Sequence, residues 1–232
     1  MASILLSHEF NESNISYSEP KKNSMNGQNI LINYNQSGRN GPVVIQTPRL
    51  RVPFGFDRQE PEGGGAVRFS VNVSVNNDGN IGKFYEVVQK LEAHVKKTAV
   101  EKSETWFGKK KSQEVIEDDL FKSVIKYPKQ KDKYDPTVRI KLPYNDKGPQ
   151  FSLEDENKIP ISLSVDEEFD FSALSPGCEI TAIIQCTGVY FIGKSSFGIG
   201  FKLLKARVYS NNRLKNLTII DDEEEDASYE DY

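Results

Sequence analysis

The clearest pattern of apolar and polar positions lies in residues 67–75. Apolar side chains, mostly valine, alternate there with serine, asparagine and arginine, and this period of two predicts a strand with one buried face. After an Asn-Asp-Gly turn the period becomes that of an amphipathic helix, which we expect over residues 81–101. The apolar positions that define this helix are Phe84, Val87, Val88, Leu91 and Val95.

The remaining apolar runs are short and separated by Gly and Pro, which predicts further strands. They lie at residues 137–144, 159–165, 179–189 and 200–209, with short extra N-terminal strands at 30–34 and 43–45. Five strands with a helix between the first two favour a small closed β-barrel, because parallel βαβ winding needs more than one long helix. We expect a mainly β protein: a mobile Asn/Ser-rich N-terminus (1–28), a single barrel domain (29–215) and a disordered acidic tail (216–232).

The body of the chain and its tail carry opposite net charge. Residues 221–232 read DDEEEDASYEDY, with eight carboxylates and no basic residue, whereas the rest of the chain has 26 acidic and 30 basic residues, a net charge of +4. This asymmetry indicates a nucleic-acid or other polyanionic partner, with a tail that competes for the same surface or recruits proteins. The alternative is a solubility tail without a binding role.

Motifs for catalysis and metal binding do not lead to an enzyme. Residues 188–195, GVYFIGKS, match the P-loop spacing, but their bulky strand-forming side chains are poor at curling around phosphates, and the SFGIGF that follows cannot start a helix. The two histidines, His8 and His94, have no Cys or His at metal-ligand spacing. We therefore expect no enzyme activity, no metal and no cofactor.

The cysteines and the apolar runs indicate where the protein works. Cys178 and Cys186 lie eight residues apart, on one face of a predicted strand and too far apart to bridge, so we expect reduced, buried thiols in an intracellular protein. No apolar run approaches the roughly 20 residues of a membrane span, and the first residues lack a basic signal-peptide region. We expect no membrane association.

Aromatic and basic side chains alternate in the segments between the predicted strands. Single-strand binders need this mixture, because cations follow the phosphates while aromatic rings stack on bases. We expect about half of these rings to fill the barrel core instead; Trp106 and Phe107, in a Lys-rich loop, are the leading candidates for stacking. The predicted DNA-binding residues are Arg49, Arg51, Phe54, Trp106, Phe107, Lys109, Lys110, Lys111, Lys126, Tyr127, Lys129, Phe191 and Lys194.

Two stretches, IQTPRLRVPFG and YFIGKSSFGIGFKLL, carry a resemblance to a known family. With the strand–helix–strand order and the acidic tail, residues 18–232 resemble the single-stranded DNA-binding proteins of tailed phages and of nucleocytoplasmic large DNA viruses, the large-virus branch in particular. The resemblance implies an OB-type barrel that coats single-stranded DNA without sequence preference. It also implies a role in viral DNA replication, recombination and repair, inside the viral replication compartment of the host cell (cytoplasmic factory or nucleus).

In that family the acidic tail contacts replication proteins and shields the DNA channel of the free protein. The resemblance therefore implies binding of the replicative DNA polymerase and helicase/primase by the tail, through Asp221, Asp222, Glu223, Glu224, Glu225, Asp226, Tyr229, Glu230, Asp231 and Tyr232. The chain ends in Tyr, where the phage branch typically ends in Phe. The sequence leaves open whether the protein forms a homo-oligomer. Two alternatives are an RNA-binding OB protein and a virion core protein that condenses DNA.

Overall fold

Strands occupy much of the described chain. The computed structural model describes residues 4–22, 27–60, 66–165, 168–193 and 195–210. Its first half contains the strands β1 (Leu5–Leu6), β2 (Ile15–Tyr17), β3 (Lys21–Lys22), β4 (Gln28–Ile30), β5 (Ile32–Gln36), β6 (Arg39–Pro42), β7 (Val44–Arg51), β8 (Phe56–Gln59) and β9 (Arg68–Ser74). Two 3-10 turns, Ser7–Glu9 and Glu12–Asn14, lie between β1 and β2.

The helices follow β9 and precede the strands of the second half. They are α1 (Gly79–Glu101), the short α2 (Ser103–Phe107) and a π-helical turn (Val115–Leu120). The later strands are β10 (Phe121–Lys122), β11 (Ile125–Lys126), β12 (Thr137–Leu142), β13 (Tyr144–Asn145), β14 (Gly148–Pro149), β15 (Ser152–Glu154), β16 (Pro160–Ile161), β17 (Ser164–Val165), β18 (Glu168–Phe169), β19 (Glu179–Ile192) and β20 (Ser196–Tyr209). The prediction of a mainly β protein is confirmed.

One large sheet organises the fold. Thirteen of the described strands belong to it, and its central order is β7-β19-β20-β12-β9. The antiparallel hairpin β19–β20, with 14 residues in each strand, forms its middle. The predicted helix is present as α1, it begins two residues earlier than expected, and it follows β9 as the sequence indicates.

The apolar stripe of α1 and the apolar face of β9 meet in the core. Phe84, Leu91 and Val95 of the helix and Val71 and Val73 of the strand are fully buried. Burying a side chain of this size contributes about 1.5–3 kcal/mol. The apolar residues that define the helical period in α1 and the period of two in β9 therefore pack against each other in the core.

Strand β7 differs from the prediction, because residues 46–51 continue a strand through Pro48. Proline lacks an N–H, and β19 has a register irregularity opposite it, between Thr181 and Ile183. The Thr47 hydroxyl accepts a hydrogen bond from the N–H of Ala182 at 3.0 Å, so the bulge keeps that donor paired. The sequence prediction of a strand at 159–165 is wrong: β16 and β17 are separate two-residue strands in different sheets.

Residues 4–22 pack on the domain, which contradicts the mobile N-terminus expected for 1–28. Leu5 pairs in parallel with Ile45 and is 2% exposed. The Tyr17 ring makes an edge-to-face contact with Trp106, with ring centroids 5.6 Å apart, and its hydroxyl lies 2.8 Å from Nδ1 of His94. This segment is therefore held on the domain by its few apolar and aromatic side chains, although its composition is rich in Asn and Ser.

The remaining expectations concern the cysteines, the P-loop match, membrane spans and the tail. Cys178 and Cys186 are free and buried, as predicted, and burial raises the pKa of these thiols to about 11 and about 12. Residues 188–192 continue strand β19 rather than forming a phosphate loop. Within the described ranges, no helix has the length and apolar character needed to cross a membrane. The tail, 216–232, lies outside the described residues.

Candidate nucleic-acid interface

The central sheet has one apolar side and one polar side. In β12, Val138, Ile140 and Leu142 are buried, while Arg139 and Lys141 point away from the core. Cross-strand partners share a face of a sheet, so the register of the neighbouring strands identifies the other residues on the same side. We call this side the outer face.

A single cross-strand row runs over five strands of the outer face. Lys21 in β3 pairs with Asn29 in β4, Asn29 with Tyr190 in β19, Tyr190 with Gly198 in β20, and Gly198 with Lys122 in β10. Four strand spacings cover about 19 Å. The row therefore has an aromatic ring at its centre and an exposed lysine at each end; the Lys122 ammonium also donates to the carbonyl oxygen of Asp119 at 3.3 Å.

A second row lies further along the hairpin and is polar throughout. Ser70 pairs with Lys141, Lys141 with Lys202, and Lys202 with Gln185. Arg139 reaches diagonally: its Nε donates to Ser70 Oγ at 3.0 Å and its Nη2 to Asp57 at 3.3 Å. The basic residues that the register assigns to the outer face are Lys21, Arg49, Arg51, Arg68, Lys122, Lys126, Arg139, Lys141, Lys202, Lys205 and Arg207.

Tyr190 lies across strand β20 because a glycine faces it. A Cβ atom at Gly198 would lie 2.8 Å from the Tyr190 hydroxyl and 2.5 Å from the carbonyl oxygen of Lys122. The Lys141 ammonium lies 5.7 Å from the centroid of the Tyr190 ring. Lys141 is exposed as a residue, but partial burial of its side chain under its neighbours lowers its pKa, and the positive charges of Arg68 and Arg139 lower it further. The three positive charges repel one another, and a bound anion would reduce this repulsion.

The predicted stacking residues Trp106, Phe107 and Phe191 lie on the opposite side of the sheet. Trp106 is 3% exposed in α2, not in a loop, so the prediction of an accessible Trp106 is wrong: Tyr17 and Phe191 enclose its ring. Phe107 and Phe191 are half-buried, with ring centroids 5.7 Å apart, and both pack against the buried Phe197. These rings form an inner aromatic cluster.

Arg49, Arg51 and Phe54 are at the other end of the hairpin. Arg49 forms an ion pair with Glu179 at 2.6 Å and lies 4.0 Å above the ring of Tyr209. Phe191 lies twelve positions after Glu179 in β19, which corresponds to about 40 Å of strand. The structure therefore does not bring these arginines together with the inner cluster. Their pairing with Thr181 and Glu179 instead places Arg49 and Arg51 on the outer face, and Arg51 and Phe54 are exposed.

The predicted lysines occupy two separate segments. Lys109, Lys110 and Lys111 follow Gly108, whose left-handed φ of 74° ends α2, and the Lys111 ammonium lies 5.8 Å from the Phe107 ring. The second segment is the β11–β12 connection: Lys126 pairs with Thr137 on the outer face, and Tyr127 and Lys129 are exposed after it. Lys194 and residues 221–232 lie outside the described residues.

The sequence comparison identifies a family over most of the strands described above. The model of a family of unknown function (DUF5871) matches residues 69–219. The chain belongs to the DUF5871 family. No curated protein matches it in sequence.

Among solved structures, this DUF5871 protein is similar to single-stranded DNA-binding proteins of bacteriophages. With gp2.5 of bacteriophage T7 the TM-score is 0.48 at 9% identity, over 76% of this chain and 98% of that chain. With the bacteriophage Enc34 protein in complex with single-stranded DNA the TM-score is 0.46 at 15% identity, over 83% and 94%. With its C-terminal truncation the TM-score is 0.43 at 13% identity, over 86% and 96%.

The range matched by the DUF5871 model contains most of the outer face, most of whose basic residues were not predicted from the sequence. Among the basic residues of the outer face, Arg49, Arg51 and Lys126 were predicted. A signal was available: in TVRIKL the apolar residues alternate with Arg139 and Lys141, so the two basic residues had to face away from the core. Lys21 had no such signal, because its place in the row depends on the pairing of β3 with β4.

Proposed function

We propose that this protein binds single-stranded DNA without sequence preference through the outer face, and that it does so without catalysis. The observation that carries the proposal is the row in which Tyr190 lies between Lys21 and Lys122. Cations at both sides of an aromatic ring match a nucleotide strand, in which phosphates flank an unpaired base. Strand β20 supports this reading, since the absence of a Cβ atom at Gly198 leaves room for the Tyr190 ring.

The arrangement favours single strands because a duplex keeps its bases stacked away from an external ring. On binding, we expect a base to take the place of Lys141 above Tyr190, and the released ammonium to contact a neighbouring phosphate. Such a contact also relieves the repulsion between Lys141 and the adjacent Arg139. None of these interactions reads a base edge, so no sequence preference is expected.

We further propose that the five long strands form an OB-type barrel. Strands β7 and β9, the two ends of the path β7-β19-β20-β12-β9, approach each other, which supports curling of the sheet towards closure. The outer face would then be the DNA-binding wall of the barrel. The likeness of 45–55 and 190–204 to the large-virus branch supports a role in viral DNA replication and recombination, within the viral replication compartment.

For the tail we propose two roles, one in the free protein and the other in the DNA-bound protein. Its eight carboxylates compete with DNA for the basic surface of the free protein, and DNA displaces them. The released Tyr229 and Tyr232 then recruit the replicative polymerase or helicase/primase.

A salt-dependent titration of labelled oligo(dT), oligo(U) and duplex DNA tests the binding proposal. Combined Arg139→Ala, Lys141→Ala and Lys202→Ala should lower the slope of log affinity against log salt by roughly 2, at about 0.7 per lost contact. A matched control removes three exposed lysines from other surfaces, Lys83, Lys97 and Lys147, and should leave most of the slope.

Each alternative has its own signature in the same titration. Tighter binding of oligo(U) than of oligo(dT) would favour an RNA-binding protein. Equal binding of single-stranded and duplex DNA would favour a DNA-condensing core protein. Equal loss of slope in the two triple variants would show that the outer face is not the binding surface.

A further inference from the structure

One buried carboxylate lies beneath the segment that supplies two cations to the outer face. Glu92, on the core side of α1, is 6% exposed. Both of its oxygens accept from the Ser123 hydroxyl at 2.9 Å, and Oε1 also accepts from the buried N–H of Val124 at 2.7 Å. The Ser123 oxygen in turn accepts from the N–H of Ile125 at 3.0 Å.

The sheet itself leaves the Val124 N–H without a strand partner, because Val124 lies between β10 and β11. β10 and β12 lie along the same edge of β20, with Lys122 opposite Gly198 and Ile140 opposite Phe201. The chain must therefore leave the edge after Lys122 and return as β11, which pairs with β12 instead. Glu92 accepts the hydrogen bond of the Val124 N–H that this detour frees.

Helix α1 fixes the far end of the same segment. Tyr85 lies seven residues before Glu92, two helical turns away on the same side of α1. Its hydroxyl is 3.1 Å from the Tyr127 hydroxyl. The helix thus contacts the segment 122–127 just after Lys122 and again just after Lys126.

We propose that Glu92 is a positioning residue for nucleic-acid binding: its carboxylate holds segment 122–127 so that Lys122 and Lys126 are presented together on the outer face. The inference rests on the proposed function. A buried carboxylate is a poor means of stabilising a fold compared with an apolar side chain of similar size, and fixing a unique local arrangement is a documented reason for keeping one.

Removing Glu92 has two opposite expected effects on DNA affinity, one from the loss of its negative charge and one from the loss of its hold on the lysines. Deleting a negative charge near a DNA-binding surface should by itself tighten binding. If Glu92 positions the lysines, Glu92→Leu should instead weaken binding of oligo(dT) by about tenfold and lower the salt slope by about 1.4, two contacts at 0.7 each. Glu92→Gln removes the same charge but keeps an acceptor for Val124, and should bind within about threefold of the parent.

The matched control is Glu86→Leu, which removes a carboxylate from an exposed position of the same helix; it should bind as tightly as the parent or tighter. Ser123→Ala is a second, milder test from the other side of the hydrogen bond. In a background with Lys122→Ala and Lys126→Ala, Glu92→Leu should have no further effect. Equal weakening in both backgrounds, or an affinity like that of Glu86→Leu, overturns the proposal.

Amide hydrogen exchange separates this inference from the proposed function. At a temperature where circular dichroism shows all variants folded, Val124 and Ile125 should exchange faster in Glu92→Leu than in Glu86→Leu, with no nucleic acid present. If the parent protein binds no nucleic acid while this difference is found, the proposed function fails and the positioning contact stands. Unchanged exchange would overturn the contact itself.

Discussion

The Lys141 ammonium lies over the face of the Tyr190 ring, 5.7 Å from its centroid. A cation–π contact of this kind contributes about 0.5–1 kcal/mol at an exposed site. That is less than the 1–3 kcal/mol or so that a stacked base contributes, so a base can displace the lysine. The pair is therefore suited to exchange one cation for one nucleotide.

Replacing Tyr190 tests this exchange. Tyr190→Leu should weaken single-stranded DNA binding by about 1–3 kcal/mol, because an aliphatic side chain offers no ring for stacking. Tyr190→Phe keeps the ring and should bind nearly as the parent. Fluorescence anisotropy with labelled oligo(dT) at constant salt measures both. If Tyr190→Leu binds like the parent, stacking takes place elsewhere, and the exposed Tyr127 becomes the first residue to test.

Strands with strict alternation and the long helix were readable from the sequence, whereas the sides on which aromatic residues lie were not. Tyr190 and Phe191 are neighbours in one strand and therefore face opposite sides, yet GVYFIG offers two apolar rings and no polar residue to fix the register. Trp106 looked exposed because lysines follow it. Its burial depends on Tyr17, 89 residues earlier in the chain, a contact that no local pattern contains.

The burial of Trp106 changes what its fluorescence should report. We expect blue-shifted emission in the free protein and little change on addition of oligo(dT), because Tyr17 and Phe191 already enclose the indole. Trp106→Ala should destabilise the protein by about 3–5 kcal/mol, measured by urea unfolding. Strong quenching by DNA would instead mean that the N-terminal segment moves aside and exposes the ring.

Gly188 carries a backbone constraint in the middle of β19. Its φ is +94°, and a Cβ atom there would collide with the carbonyl oxygen of Ile30 in β4. Gly188→Ala should therefore lower the free energy of unfolding by at least about 1–3 kcal/mol. Gly41→Ala is the control, since nothing lies within 4 Å of its Cβ position and its φ is ordinary; it should stay within about 0.5 kcal/mol of the parent.

His94 should make docking of the N-terminal segment pH-dependent. Burial lowers the pKa of His94 from its ordinary 6.5, so the unfolded chain binds this proton more tightly than the folded one. The stabilisation of the folded state that neutral His94 provides is complete at pH values above 6.5. It is lost as the pH falls from there towards the lowered pKa of the folded state. The melting temperature should therefore drop more between pH 7.5 and 5.5 in the parent than in His94→Gln. Equal drops in the two proteins would assign the pH dependence to other groups.

The acidic tail should act as a tethered competitor for the basic surface. Eight carboxylates are joined to a body of net charge +4, and a short tether gives an effective concentration in the millimolar range. Deleting residues 221–232 should tighten oligo(dT) binding at low salt. The gain should shrink as salt rises, because screening weakens the contacts between the tail and the basic surface of the free protein. The deletion should also abolish binding to the cognate polymerase or helicase.

A second tail variant separates charge from length. Replacing the eight carboxylates by their amides keeps all the residues and both tyrosines, so electrostatic competition predicts the same gain in affinity at low salt as the deletion gives. Steric blocking by the segment predicts a gain for the deletion alone. If neither variant binds oligo(dT) more tightly than the full chain at low salt, the tail does not compete with DNA, and recruitment of replication proteins would be its one remaining proposed role.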